Sequence, residues 1–101
     1  MASARTAGPM GVQMSFSSFA TAVREHLWVL EVEPAYSFSE RVARFMWSPY
    51  GADLEPLDSS NVRLLLSAHG ELIRTIDLQM TQQSVRQAAD GIIAVFEPDT
   101  A

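Results

Sequence analysis

SFSERVARFMW, residues 37–47, is the stretch whose reading decides the fold. Ser37-Phe38-Ser39-Glu40 has the Ser-x-x-Glu spacing of a capping box, in which a hydroxyl and a carboxylate satisfy backbone N–H groups at a helix start. Phe38, Val42, Phe45 and Met46 then share one face at helical spacing, with Arg41 and Arg44 turned away. Ser48-Pro49-Tyr50-Gly51 is a stop signal, because proline cannot continue the helix. The spacing predicts a helix over 37–47.

On its N-terminal side, Trp28, Leu30 and Val32 alternate with Val29, Glu31 and Glu33, a two-residue period in β-forming residues that Pro34 ends. This predicts a strand over 28–33. A single helix running through Val32 is the competing reading, since Leu27, Leu30 and Glu31 also fit helical spacing. On the C-terminal side, residues 51–61 (GADLEPLDSSN) are turn formers and read as a loop pinned by Leu54 and Leu57. Val62–Ser67 and Leu72–Gln79 flank Ala68-His69-Gly70-Glu71, a short glycine-containing loop, and read as a β-hairpin. Thr81 or Ser84 caps a helix over 82–90 that carries Val85, Ala88 and Ala89. Asp90-Gly91 is a further stop, and residues 92–96 read as a short strand ended by Pro98. Glycine inside a helix costs about 1 kcal/mol relative to alanine, which favours the break over a helix continuing to Phe96.

Taken in order, these elements are β-α-β-β-α-β, the ferredoxin-like arrangement of a four-stranded antiparallel sheet with two helices on one face. An additional N-terminal helix over 15–26 precedes them. Phe16, Phe19, Ala20, Val23 and Leu27 line one side of it, and Ser15, Ser17 or Ser18 can cap it. Residues 1–14 read as a flexible tail, 15–98 as a single α+β domain and 99–101 as a second short tail.

Composition narrows the function classes. The chain has 101 residues, 48% hydrophobic and 19% charged, which suits one cored domain. It has no cysteine, so disulfides, thiolate catalysis and cysteine-based metal sites are excluded. The net charge of −5 argues against a nucleic-acid binder that works by displacing counterions from phosphates. The element order invites comparison with RNA-recognition motifs, but 72–79 has no aromatic residue to stack a base. All seven basic residues are arginine, which suggests a GC-rich, bacterial genome. Residues 1–14 lack the apolar segment of a signal peptide, and no run approaches the ~18 apolar residues of a membrane span, so a cytoplasmic location is expected.

In the expected fold, Trp28, Leu30, Val32, Val62, Leu64, Leu66, Leu72, Ile76, Leu78, Ile92 and Phe96 face the helices. Arg74 interrupts this inner row, which either counts against the assignment of faces or marks a local bulge. The other face carries Val29, Leu65, Ile73, Ile93 and Val95 among Glu31, Glu33, Arg63, Ser67, Thr75 and Asp77. Those five aliphatic residues are the candidate interface. An exposed patch of that kind is closed by a two-fold dimer, by the extra helix or by a bound partner.

Signals for chemistry are sparse. His26 and His69 are too far apart in sequence to resemble a metal-binding pair. Glu31, Glu33 and Asp77 would need burial to act as an acid–base set and read as solvated strand residues. No phosphate-binding glycine loop or nucleophile elbow is present. No catalytic residue, metal or cofactor is therefore assigned. Trp47 and Tyr50, at a helix end, form with His26 a candidate pocket for a small molecule. The expected function is a non-catalytic interaction or regulatory module, homodimeric through its open face or bound to another protein. One alternative is a small enzyme or ligand-binding protein of the dimeric α+β-barrel type. Another is an acidic inhibitor or immunity-type protein that occupies a basic partner.

Overall fold

The computed structural model describes residues 13–97. The expected tails at 1–14 and 99–101 lie outside this range, apart from Gln13 and Met14. The described chain forms α1 (Phe16–Val29), β1 (Ala35–Phe38), β2 (Ala43–Trp47), β3 (Tyr50–Pro56), β4 (Asn61–Ala68), β5 (Glu71–Gln79) and α2 (Gln82–Phe96). The strands make one antiparallel sheet in the order β1-β2-β3-β4-β5, each paired with its sequence neighbour. This is a five-stranded meander preceded and followed in sequence by a helix, not a four-stranded ferredoxin-like sheet.

Four local readings give way, each for an identifiable reason. The capping-box serine at 37 starts no helix. Ser39, two residues on, closes a hairpin loop instead, its hydroxyl accepting from the N–H groups of Arg41 (3.3 Å) and Val42 (3.2 Å). The same donor-and-acceptor chemistry that caps helices also closes turns. Strands β1 and β2 flank that loop, and the inward set is Tyr36, Ala43, Phe45 and Trp47, a two-residue period. Tyr36 and Phe45 are cross-strand partners with ring centroids 5.0 Å apart. The expected loop over 51–61 is mostly strand β3, which pairs with β2 through the turn at Ser48-Pro49 and buries Ala52 and Leu54. Only residues 57–60 turn, around Asp58, whose carboxylate accepts from the N–H groups of Ser60 and Asn61, both at 2.8 Å.

Neither the expected strand at 28–33 nor the one at 92–96 forms. Helix α1 runs to Val29 and ends in a Schellman motif. Val32 N–H donates to the Leu27 carbonyl and Glu31 N–H to that of Trp28, each at 2.9 Å, with Glu31 at φ 66°. Helix α2 passes straight through Gly91. A Cβ at that position would stand 3.3 Å from Ile76 Cδ1 and 3.6 Å from Leu64 Cδ2, so the glycine lets the helix lie close on the sheet.

Other expectations hold. The β4–β5 hairpin turns at His69-Gly70, both at positive φ (54° and 82°), the backbone of a tight two-residue turn. Ser15 caps α1 by accepting from Ser18 N–H (3.1 Å), and Thr81 caps α2 by accepting from Ser84 N–H (3.4 Å). The register of β5 shifts opposite Leu66/Ser67: Arg74 faces Leu66 but Leu72 faces Ser67, leaving Ile73 as the extra residue. The bulge therefore sends Leu72 to the side opposite the one expected.

Gln13 bridges Thr81, and Met14 N–H donates to the Met80 carbonyl at 2.8 Å. This sets the two helix starts side by side, and both helices then run across the same face. Phe16 stacks on Phe38 and Trp47 on Phe96, with centroids 5.6 and 6.2 Å apart. Between helices and sheet lies one core built around Phe19, Leu27, Phe45, Leu54, Leu64 and Ile92. No polar or charged side chain among the described residues is buried. The fold is α+β, and no helix among the described residues is long and apolar enough to cross a membrane.

Candidate functional site

Because side chains alternate along a strand, the core on one face fixes what the other face shows. The antiparallel register lines up three rows on the uncovered side. Met46, Gly51, Ser67 and Leu72 form the first, Arg44, Asp53, Leu65 and Thr75 the second, and Glu55, Arg63 and Asp77 the third. Helix α1, a candidate cover for this face, lies on the opposite side beside α2. Its contacts are with Phe38 and Tyr36, which belong to the inner set.

The face grades from apolar to charged. At one end Met46 and Leu72 are 51% and 59% exposed. Between them Gly51 has no side chain and Ser67 folds over its carbonyl (Oγ to O, 3.4 Å), leaving a hollow of about 200 Å³ lined by Arg44, Met46, Gly51, Asp53 and Ser67. Leu65 sits half-buried in the next row. Arg44 donates through Nε and Nη2 to the two Asp53 oxygens (3.1 and 3.3 Å), and Arg63 does the same to Asp77 (2.8 and 3.1 Å). Such bidentate forks are the directional form of this pair. They raise both arginines above their ordinary pKa, and the nearby Glu55 adds a smaller rise to each. The Asp77 carboxyl is held below its ordinary range by the hydrogen bonds from Arg63.

The other candidate residues are scattered. Of the expected interface, Leu65 lies on the open face and Ile73 on the bulge of β5, 54% exposed. Val29 ends α1, far from the sheet's open side, and Ile93 and Val95 are in α2, half-buried against the core. Met46, Gly51 and Leu72 join this face because residues 43–47 and 50–56 are strands rather than helix and loop, and because the β5 bulge reverses Leu72. Trp47 and Tyr50 are cross-strand partners. Trp47 stacks on Phe96, and Tyr50 meets the His69 ring edge-on at 6.3 Å. His26 is half-buried on α1, and no hydrogen bond or ring contact among the described residues joins it to either. Asp77 is committed to Arg63, whereas Glu31 and Glu33 follow α1, so these carboxylates do not converge. No group of three metal-ligating side chains occurs among the described residues. Comparison with protein-family models, with curated proteins and with solved structures finds no match to this chain.

Proposed function

We propose that this chain is a non-catalytic, cytoplasmic interaction module that pairs with a second copy of itself through the uncovered sheet face. The observation that carries the reading is the apolar strip of Met46, Leu65 and Leu72 beside a hollow, bordered by two arginine–aspartate forks. Burying the strip removes apolar surface from water. Arg44, Asp53, Arg63 and Asp77 beside it are already paired, which lowers the penalty of bringing these charges to an interface.

The sheet edges favour the face as the contact. Strand β5 carries Glu71, Arg74, Asp77 and a bulge, devices that blunt edge-to-edge pairing, and β1 is only four residues long. Closed two-fold pairs are the commonest homo-oligomers, and a two-fold contact brings the same patch from both copies together.

Leu65→Glu tests the proposal. Leu65 lies outside the core, so the variant is expected to keep its helical and strand circular-dichroism signal. Sedimentation equilibrium is expected to give twice the chain mass for the wild type and the single chain mass for the variant. A wild type and variant of equal mass at all concentrations overturns the reading.

A further inference from the structure

Helix α1 ends in a second surface that the proposed dimer does not use. Trp28, Val29 and Leu30 are three consecutive large apolar side chains, 57%, 77% and 44% exposed. Scattered apolar residues on a surface need no explanation, but a contiguous run does. The Schellman turn fixes this one in place. Leu27 and Val32, on either side, are buried in the core and joined by the 2.9 Å bond from Val32 N–H to the Leu27 carbonyl, so the intervening residues stand outward. Arg24, one turn earlier, places its guanidinium 4.6 Å from the Tyr36 ring centroid and 5.8 Å from that of Trp28. Beside it, Arg24, Trp28, Val32, Glu33 and Pro34 enclose a hollow of about 120 Å³.

The charge around this tip is one-sided. Glu25 lies one helical turn before Trp28 and Val29, and Glu31 and Glu33 follow directly; all three are exposed. The nearby cation, Arg24, is stacked on the two rings.

We propose that the α1 tip docks a basic amphipathic segment of another protein. Apolar side chains of that segment pack on Trp28, Val29 and Leu30, and its Lys or Arg residues meet Glu25, Glu31 and Glu33. Charge complementarity selects this occupant. An anionic membrane surface would repel the three carboxylates. A second copy seated tip to tip would set Glu25, Glu31 and Glu33 against the same three carboxylates.

The test uses the full chain and two short fluorescein-labelled peptides, one of Leu and Lys in amphipathic-helix order, the other with Glu in place of Lys. The wild type is expected to raise the anisotropy of the Lys peptide saturably and to leave the Glu peptide unchanged. Val29→Asp, which removes apolar surface while adding negative charge, is expected to weaken Lys-peptide binding, as is the double variant Glu31→Lys/Glu33→Lys, each on the order of tenfold. Leu65→Glu is expected to bind as the wild type does, which separates this site from the open face. In a Trp47→Phe background Trp28 is the sole tryptophan, and its emission is expected to shift to the blue on binding. Failure of the Lys peptide to bind, equal binding of both peptides, or Val29→Asp binding at wild-type strength overturns the proposal. So does a blue shift on dilution-reversible self-association or on phosphatidylglycerol vesicles without any peptide. Should Trp47→Phe not fold, the anisotropy series decides alone.

Discussion

Leu64 and Leu65 are neighbours in β4 and meet opposite surroundings. Leu64 is fully buried between Leu54 and Ile76, with α2 brought close by Gly91. Leu65 stands half-buried between Asp53 and Thr75, on a face no element of the described chain covers. The fully buried side chains of the inner face are all apolar, so it supplies cohesion through burial and close packing. The outer face mixes apolar strip and paired charge, a composition suited to an interface that is also soluble when free. The contrast teaches that one strand sets a core leucine beside a surface leucine, and under the proposed pairing stability and association divide between the two faces of the sheet.

The sharpest way to break this contrast is to truncate both leucines. Leu64→Ala is expected to lower unfolding free energy by about 2–5 kcal/mol, and Leu65→Ala by less than about 1 kcal/mol. Urea unfolding followed by circular dichroism, at a concentration where the chain is monomeric, checks both. Comparable losses would mean that the two faces do not divide the work as described.

The two sheet-contacting glycines offer the next comparison. Gly91→Leu is expected to destabilise by about 1–3 kcal/mol through overpacking against Leu64 and Ile76, although leucine is the better helix former. Gly51→Ala would bring a Cβ to 3.1 Å from Ser67 Oγ, a side-chain atom that can rotate away, and would point a methyl group into the open-face hollow. Its expected signature is weaker self-association in sedimentation with little change in thermal melting. A smaller effect tests the α1 terminus: Glu31→Gly is expected to raise stability by up to about 1 kcal/mol, since glycine takes the left-handed backbone at this C′ position without steric penalty. An unchanged melting temperature would count against that account of the turn.

The smallest expected effects appear on acidification. Hydrogen bonds from Ser60 and Asn61 lower the Asp58 pKa, and those from Arg63 lower that of Asp77. A carboxyl with a depressed folded-state pKa stabilises the fold at pH above its unfolded value, about 3.9 for aspartate. That contribution is lost as pH falls through the folded value. Asp58→Asn and Asp77→Asn are therefore each expected to flatten the acid limb of a stability–pH curve measured from pH 6 downward to about pH 2. Curves parallel to the wild type would show that these hydrogen bonds do not bias the carboxyls.

Where the sequence was legible, two signals agreed. Residues 62–79 combine alternation with a His-Gly turn, and the serine and threonine caps of α1 and α2 precede clean helical spacing. Elsewhere one signal imitated another. Phe38, Val42, Phe45 and Met46 fit a helix face, yet Ala43, Phe45 and Trp47 in the same stretch fit a strand, and pairing on both sides decided for the strand. Apart from Tyr50 and Leu54, strand β3 is written in Gly, Ala, Asp, Glu and Pro, all poor β-formers, and it exists because β2 and β4 flank it. Gly91 looked like a helix stop because its use lies in a contact with another element. The open face was partly legible: Leu65, Arg63 and Asp77 follow from the hairpin, whereas Met46, Gly51 and Leu72 depend on β2, β3 and a bulge.

Oxidation of individual methionines by dilute peroxide, read by mass spectrometry, tests the central claim most directly. Met46 lies on the open face and Met80 is buried in the core, 2% exposed, so one reports association and the other global unfolding. The account predicts that Met46 oxidises quickly in dilute protein and slowly in concentrated protein, and that Leu65→Glu abolishes the difference while Met80 stays protected throughout. A Met46 rate independent of concentration in the wild type would contradict burial of this face by a second copy.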